Sequence, residues 1–149
     1  MKIEHLEPSP EAVALCGKLI RENRLNHLLN EPIRVYLAKK PSYSKGELVR
    51  ATTRLCSEVE RMVHESDLLA WIVIDEGYWL NFPERREPLL FHELSKLWYD
   101  DEKNTFTIRK PGITEFPEVI QKYGDWDGNL RPVRDHLEKS SDLQPEDDR

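Results

Sequence analysis

The stretch LLAWIVID, residues 68–75, is apolar almost throughout and rich in β-branched residues. An uninterrupted run of this kind predicts a central strand covered on both faces, because a strand with one wet face would alternate. Its neighbours on either side decide what kind of sheet it joins. Before it, PIRVYLA (32–38) sets Ile33, Val35 and Leu37 against Arg34 and Tyr36, a strand with one wetter face. LVRATTRLC (48–56) alternates again, with Val49, Ala51, Thr53 and Leu55 on one side. Between these lies KKPSYSKG (39–46), a loop by composition.

Helical signals interleave with the strands. SPEAVALCGKLIREN (9–23) offers Ser9 as N-cap and Pro10 at the first helical position, where a missing N–H costs nothing. Ala12, Leu15, Cys16, Leu19 and Ile20 then form one stripe. SEVERMVHES (57–66) opens with the capping-box pair Ser57 and Glu60 and turns Val59, Met62 and Val63 to one face. After the central strand, EGYWLNFPE (76–84) reads as a turn region. PLLFHELSKLW (88–98) reads as a helix with Leu90, Leu94, Leu97 and Trp98 on its apolar face. YDDEKNTFTIRK (99–110) reads as a hairpin turn feeding a strand. TEFPEVIQKYG (114–124) predicts a helix from Thr114, closed by Gly124, with Pro117 tolerated in its first turn. GNLRPVRDHLEK (128–139) adds one more candidate helix. The expectation is an α+β domain over residues 1–139, a small mixed sheet with helices packed on it. SSDLQPEDDR (140–149) is an acidic tail expected to stay disordered, having almost no apolar surface to offset the entropy of ordering.

The whole composition narrows the function classes. The chain has 149 residues and a net charge of −6, which argues against a general nucleic-acid or anionic-membrane binder. Four Trp, five Tyr and four Phe argue for a packed interior. No apolar run approaches the roughly 20 residues of a membrane span. The start, MKIEHLEPSP, lacks the apolar core of a signal peptide. Cys16 and Cys56 are too few for a disulfide framework or a thiolate zinc cluster. These features describe a soluble, intracellular protein with reduced thiols.

The helix from Pro88 carries the chemistry. Positions 92 and 96 lie about one turn apart on one helical face, with 93 beside them. Zinc proteases use that spacing for two histidine ligands, with the glutamate between them activating the metal-bound water. Here His92 and Glu93 match, and Lys96 stands where the second histidine belongs. A protonated lysine cannot ligate, and beside a dication it is repelled. Its ammonium could instead pair with Glu93 where zinc would have sat. An HE pair alone is more often a solvated helix face.

The context adds to the pair. FHELSK, the acidic hairpin after it, Glu115–Phe116, EVIQKYG and Trp126 follow LAWIVIDEGYWLNFPERRE in a fixed order. Upstream, PEAVALCGKLIREN, RVYLAKK and LVRATTRLCSEVERMVHESDLLAWIVI complete the series. Together these segments resemble the putative phage metallopeptidases, a small zincin-like family, over roughly residues 9–126. The resemblance implies a zincin-like fold, His92 as first zinc ligand and Glu93 as catalytic base. It aligns the second zinc histidine with Lys96, the third with Pro111, and that histidine's acidic neighbour with Gly112. Two of three ligands are thus replaced by residues that offer no donor. Pro88 is a further departure, tolerable only if the helix starts close to it.

The resemblance implies a metallopeptidase-like protein that has lost zinc and catalysis and acts on a macromolecular partner, with a host protein in the host cytoplasm the natural target. The alternative is an active zinc hydrolase using Glu93 with an atypical ligand set. A DNA-mimicking acidic inhibitor has less behind it, because Lys and Arg interleave the acids outside the tail. Tyr78, Trp79, Phe82 and Trp126 are candidate anchors for a partner, although aromatics in such positions more often pack into the core.

Overall fold

The structure, a computed structural model, describes residues 5–110, 116–124 and 126. The chain groups into two units, Met1–Arg109 and Lys110–Arg149.

The first unit is built on a four-stranded mixed sheet of order β1-β2-β6-β5. β6 (Ala70–Asp75) lies in the interior, parallel to β2 (Ile33–Ala38) and antiparallel to β5 (Ala51–Leu55). β1 (Leu6–Pro8) pairs antiparallel with the outer side of β2. Its Pro8 is tolerated because an edge strand can spare a donor.

Register sorts the side chains into two faces. Val35, Ile72 and Thr53 pair across three strands and are buried. One step along, Arg34, Trp71 and Arg54 pair in the same way on the opposite face. Both arginines there are exposed, and Trp71 and Val73 are only half-buried. The expectation of a strand covered on both faces is therefore corrected. Ala70, Ile72 and Ile74 are sealed at 0% exposure, whereas the alternate residues line an open cleft.

The sealed face is covered by helices. α1 (Pro10–Glu22) starts at Ser9, whose hydroxyl accepts the Ala12 N–H, and packs Ala12, Cys16, Leu19 and Ile20 inward. It touches β2 and α4 (Arg86–Ser95), and α4 in turn packs on β5. α2 (Glu58–Val63) forms with its full capping box, but its apolar residues find no cover. Val59, Met62 and Val63 are all more than 65% exposed. The local pattern makes this helix, and burial of its apolar residues contributes little to it.

Three segments differ from the sequence reading. KKPSYSKG supplies the first strand and turn of a small hairpin, β3 (Tyr43–Ser44) with β4 (Glu47–Leu48). Lys45 and Gly46 both take positive φ, the twist a two-residue hairpin turn requires. The supposed turn at EGYWLN is α3 (Glu76–Asn81), begun by Asp75 Oδ2 accepting the Tyr78 N–H at 3.0 Å. A Cβ on Gly77 would sit 3.3 Å from that same oxygen, so the glycine leaves the cap room. Leu97 and Trp98 do not extend the histidine helix. They belong to β7 (Leu97–Asp100), which pairs with β8 (Thr105–Ile108).

The second unit contains α5 (Pro117–Tyr123), which ends at Gly124 with φ of 64°. Thr114, the segment 128–139, the boundary at 139 and the tail from Ser140 lie outside the described residues, as do Pro111 and Gly112. The arrangement is α+β, a small mixed sheet flanked by helices, with the His92 helix lying against it.

Candidate functional site

α4 begins at Arg86, so Pro88 falls at its third residue, inside the first turn where a proline breaks no hydrogen bond. The preceding residues Pro83–Arg85 form a single 3-10 turn that leads in. Arg86 fastens the start by donating from Nε to the Trp79 carbonyl at 2.9 Å, its guanidinium lying over the Trp79 ring. The other end is closed by the β7–β8 hairpin. Arg109 donates its backbone N–H to the Lys96 carbonyl at 2.8 Å and its Nε to the Ser95 carbonyl at 2.7 Å. These bonds satisfy carbonyls that a helix end leaves without partners. His27 binds the Leu97 carbonyl at 2.8 Å and meets the Trp98 ring edge-on, which fixes where the chain turns from helix to strand.

The helix turns Glu93 inward. Its side chain is 3% exposed and faces Thr53 on the sealed side of β5. Thr53 Oγ1 donates to Glu93 Oε1 at 2.7 Å, and Lys96 Nζ donates to the same oxygen at 2.9 Å. Lys96 sits at the C-cap with helical backbone angles, so the i,i+3 geometry reaches the carboxylate directly. His92 Nε2 lies 3.7 Å from Glu93 Oε2, with the imidazole 17% exposed. The structure therefore brings together His92, Glu93 and Lys96. It adds Thr53, which no sequence signal singled out because it lies forty residues upstream in chain order.

The arrangement is a compensated buried charge. An isolated carboxylate in this position would be strongly penalised, and it is held by one ammonium and one hydroxyl. Charge-assisted bonds of this length are the strong kind.

A catalytic zinc needs three protein ligands and an open position for water. These residues do not fit one. His92 supplies a single imidazole, and the Lys96 ammonium stands on the carboxylate that would serve the metal-bound water. Among the described residues there is no group of three or more His, Cys, Asp or Glu side chains able to hold a metal ion. Pro111 and Gly112 carry no donor side chain in any conformation.

The aromatic candidates divide by burial. Tyr78 and Trp79 are 7% and 3% exposed, within the packing of α3. Phe82 and Trp126 are half-buried. Tyr78 and Phe82 stack at 5.0 Å between centroids, and the Arg85 guanidinium covers the Phe82 ring. Cys16 and Cys56 are free thiols, the first buried and the second half-buried. Burial pushes the Cys16 thiol up from 9.0 to about 12. Among the described residues no helix is long and apolar enough to cross a membrane.

Comparison with known proteins gives one match. The family model described as "Putative phage metallopeptidase" covers residues 4–139. No curated protein and no solved structure matches the chain.

Proposed function

The chain belongs to the putative phage metallopeptidase family, and from that premise we propose that it is a member without zinc or peptidase chemistry that acts by binding a macromolecular partner. One observation carries the loss of chemistry. Glu93, aligned with the family's general base, accepts both Lys96 and Thr53 on one oxygen and is 3% exposed. A general base has to reach the proton it removes, directly or through one water. This carboxylate is occupied and shielded. The Lys96 ammonium supplies the positive charge that a metal would bring without offering a Lewis acid, and the Thr53 hydroxyl ties the same carboxylate to β5.

Partner binding is supported by what the family scaffold keeps once its ligands are gone. The sheet, the helix and the hairpin remain, so selection on this chain has a folded surface to act on. A host protein is the class of partner that a phage family points to.

Elemental analysis and zinc titration test the first half. The unaltered protein is expected to carry no stoichiometric zinc and to cleave no peptide, and Glu93→Gln is expected to leave its biological effect intact. The combined variant Lys96→His with Pro111→His is expected to gain zinc affinity by restoring two imidazoles. One equivalent of tightly held zinc in the unaltered protein, lost on His92→Ala, would overturn this reading and favour the hydrolase.

A further inference from the structure

The face of the sheet turned away from the helices carries exposed arginines that have no ion-pair partner among the described residues. Arg34, Trp71 and Arg54 stand side by side on β2, β6 and β5, an aromatic residue between two guanidinium groups. Both arginines are exposed, and neither has a hydrogen-bond or ion-pair partner among the described residues. Arg54 and Trp71 line a cleft of about 310 Å³, with Lys40 and His5 at its rim and Leu6 and Val73 among its apolar residues. The carboxylate in its lining, Asp75, already accepts the Tyr78 N–H as the cap of α3. Arg34 and Tyr36 line a separate groove of about 410 Å³ that runs between β2 and the start of α1, with Pro10, Val13 and Ala14 as its other wall. The indole N–H of Trp71 is buried without an acceptor.

This pattern runs against the whole chain, whose net charge is −6. Exposed arginines flanking a cleft with apolar residues in its floor, on an open sheet face, are complementary to an anionic strand with apolar side chains. We propose that the open sheet face, along the Arg34–Trp71–Arg54 row, is the docking surface for an acidic polypeptide segment. Carboxylates of the segment pair with Arg34, Arg54 and Lys40, and intervening aliphatic or aromatic side chains settle on Leu6, Val73 and Tyr36. Arginine is suited to this, because its planar fork takes a carboxylate through two bonds. A nucleic acid fits less well. Trp71 is wedged in the sheet between two side chains rather than standing free as a stacking platform for bases.

The proposal rests on the reading that the protein works through a partner, and it places that partner away from Glu93. It is tested by selecting from a library of short randomised peptides on the immobilised full chain. The enriched sequences are then synthesised with a fluorescent label and titrated by anisotropy at low and high salt. Enriched peptides are expected to be rich in Asp and Glu with apolar residues between them, and to bind more weakly as salt rises. Affinity should fall by about tenfold or more in Arg34→Glu/Arg54→Glu. It should hold in Lys18→Glu/Lys103→Glu, which changes the net charge equally on other surfaces. If the reversed pair fails to fold by circular dichroism, Arg34→Gln/Arg54→Gln gives the same reading with a smaller loss. No enrichment, enrichment of neutral or basic peptides, or binding indifferent to both arginine variants would overturn the proposal. So would a poly-dT oligonucleotide that binds through the same arginines more tightly than the peptides do. Zinc content and peptide cleavage, measured on the same preparations, report separately on the loss of catalysis.

Discussion

Val35, Ile72 and Thr53 form a row across the sheet, and one residue along each strand Arg34, Trp71 and Arg54 form another. The first faces α1 and α4; the second faces away from them. On the helical side the buried acid Glu93 meets a cation and a hydroxyl of the chain itself. On the other side Arg34 and Arg54 are exposed with no ion-pair partner among the described residues, and Arg54 and Lys40 line an open cleft. A protein that compensates its charges internally on one face and leaves them open on the other has separated what holds it together from what it can offer.

Core truncation should break the symmetry of the two rows most strongly. Ile72→Ala removes a side chain of 0% exposure and is expected to cost about 4 kcal/mol. Its neighbour Val73→Ala, half-buried on the open face, should cost about 1 kcal/mol. Denaturant midpoints of the two variants measure the contrast, and equal losses would mean the second face is covered after all.

Next in size is Lys96→Ala, which strands the Glu93 carboxylate in the interior and is expected to cost about 3 kcal/mol. Removing both charges, as Glu93→Met/Lys96→Met, should recover most of that loss, since apolar replacements of a buried pair are often neutral. A double variant as unstable as the single one would show that the pair contributes more than mutual compensation.

Cys16 adds a pH signature to the helical face. Its thiol is raised by burial from 9.0 to about 12, so the folded state holds the proton longer than the unfolded state. Its contribution is fully present below pH 9.0 and is lost as pH rises toward 12. Cys16→Ala should therefore flatten the decline of stability across that window, read from urea midpoints at stepped pH. An unchanged slope would remove the thiol from the account. The smallest effect belongs to the open row. Arg34→Gln and Arg54→Gln should each change stability by no more than about 0.5 kcal/mol, because both are exposed and make no hydrogen bond or ion pair among the described residues. A larger loss in either would mean that the arginine serves the fold.

Much of the sheet was legible because its signals are local. Alternation at Ile33, Val35 and Leu37, and the run from Ala70 to Asp75, depend only on neighbours in sequence. Ser9, Ser57 and Glu60 announced their helices through side chains that bond three residues away. The misread segments depend on distant chain. Leu97 fitted the spacing of the histidine helix, yet Arg109 and His27 draw its backbone into a hairpin. Asp75 closes a strand and opens a helix with one residue, which left α3 looking like a turn. At the site, His92, Glu93 and Lys96 were readable from helical spacing, including the pairing of Lys96 with Glu93. Thr53 was not, since only the register of β5 brings it beneath the carboxylate. The arginine row was hidden for the same reason, its members lying on three strands.

The parallel pairing of β2 with β6 also has a kinetic side. The two central strands cannot be joined by a tight turn, and the chain between them makes the β3–β4 hairpin, β5 and α2 before it returns. β5 and β6, antiparallel and closer in sequence, close a shorter loop, each halving of which saves about 0.6 kcal/mol of chain entropy. Docking of β2 on the other edge of β6 is the longer-range contact, of the kind that slows folding. Until β2 arrives, the β6 edge exposes a row of unpaired backbone groups, the kind of surface on which newly made chains stick to one another.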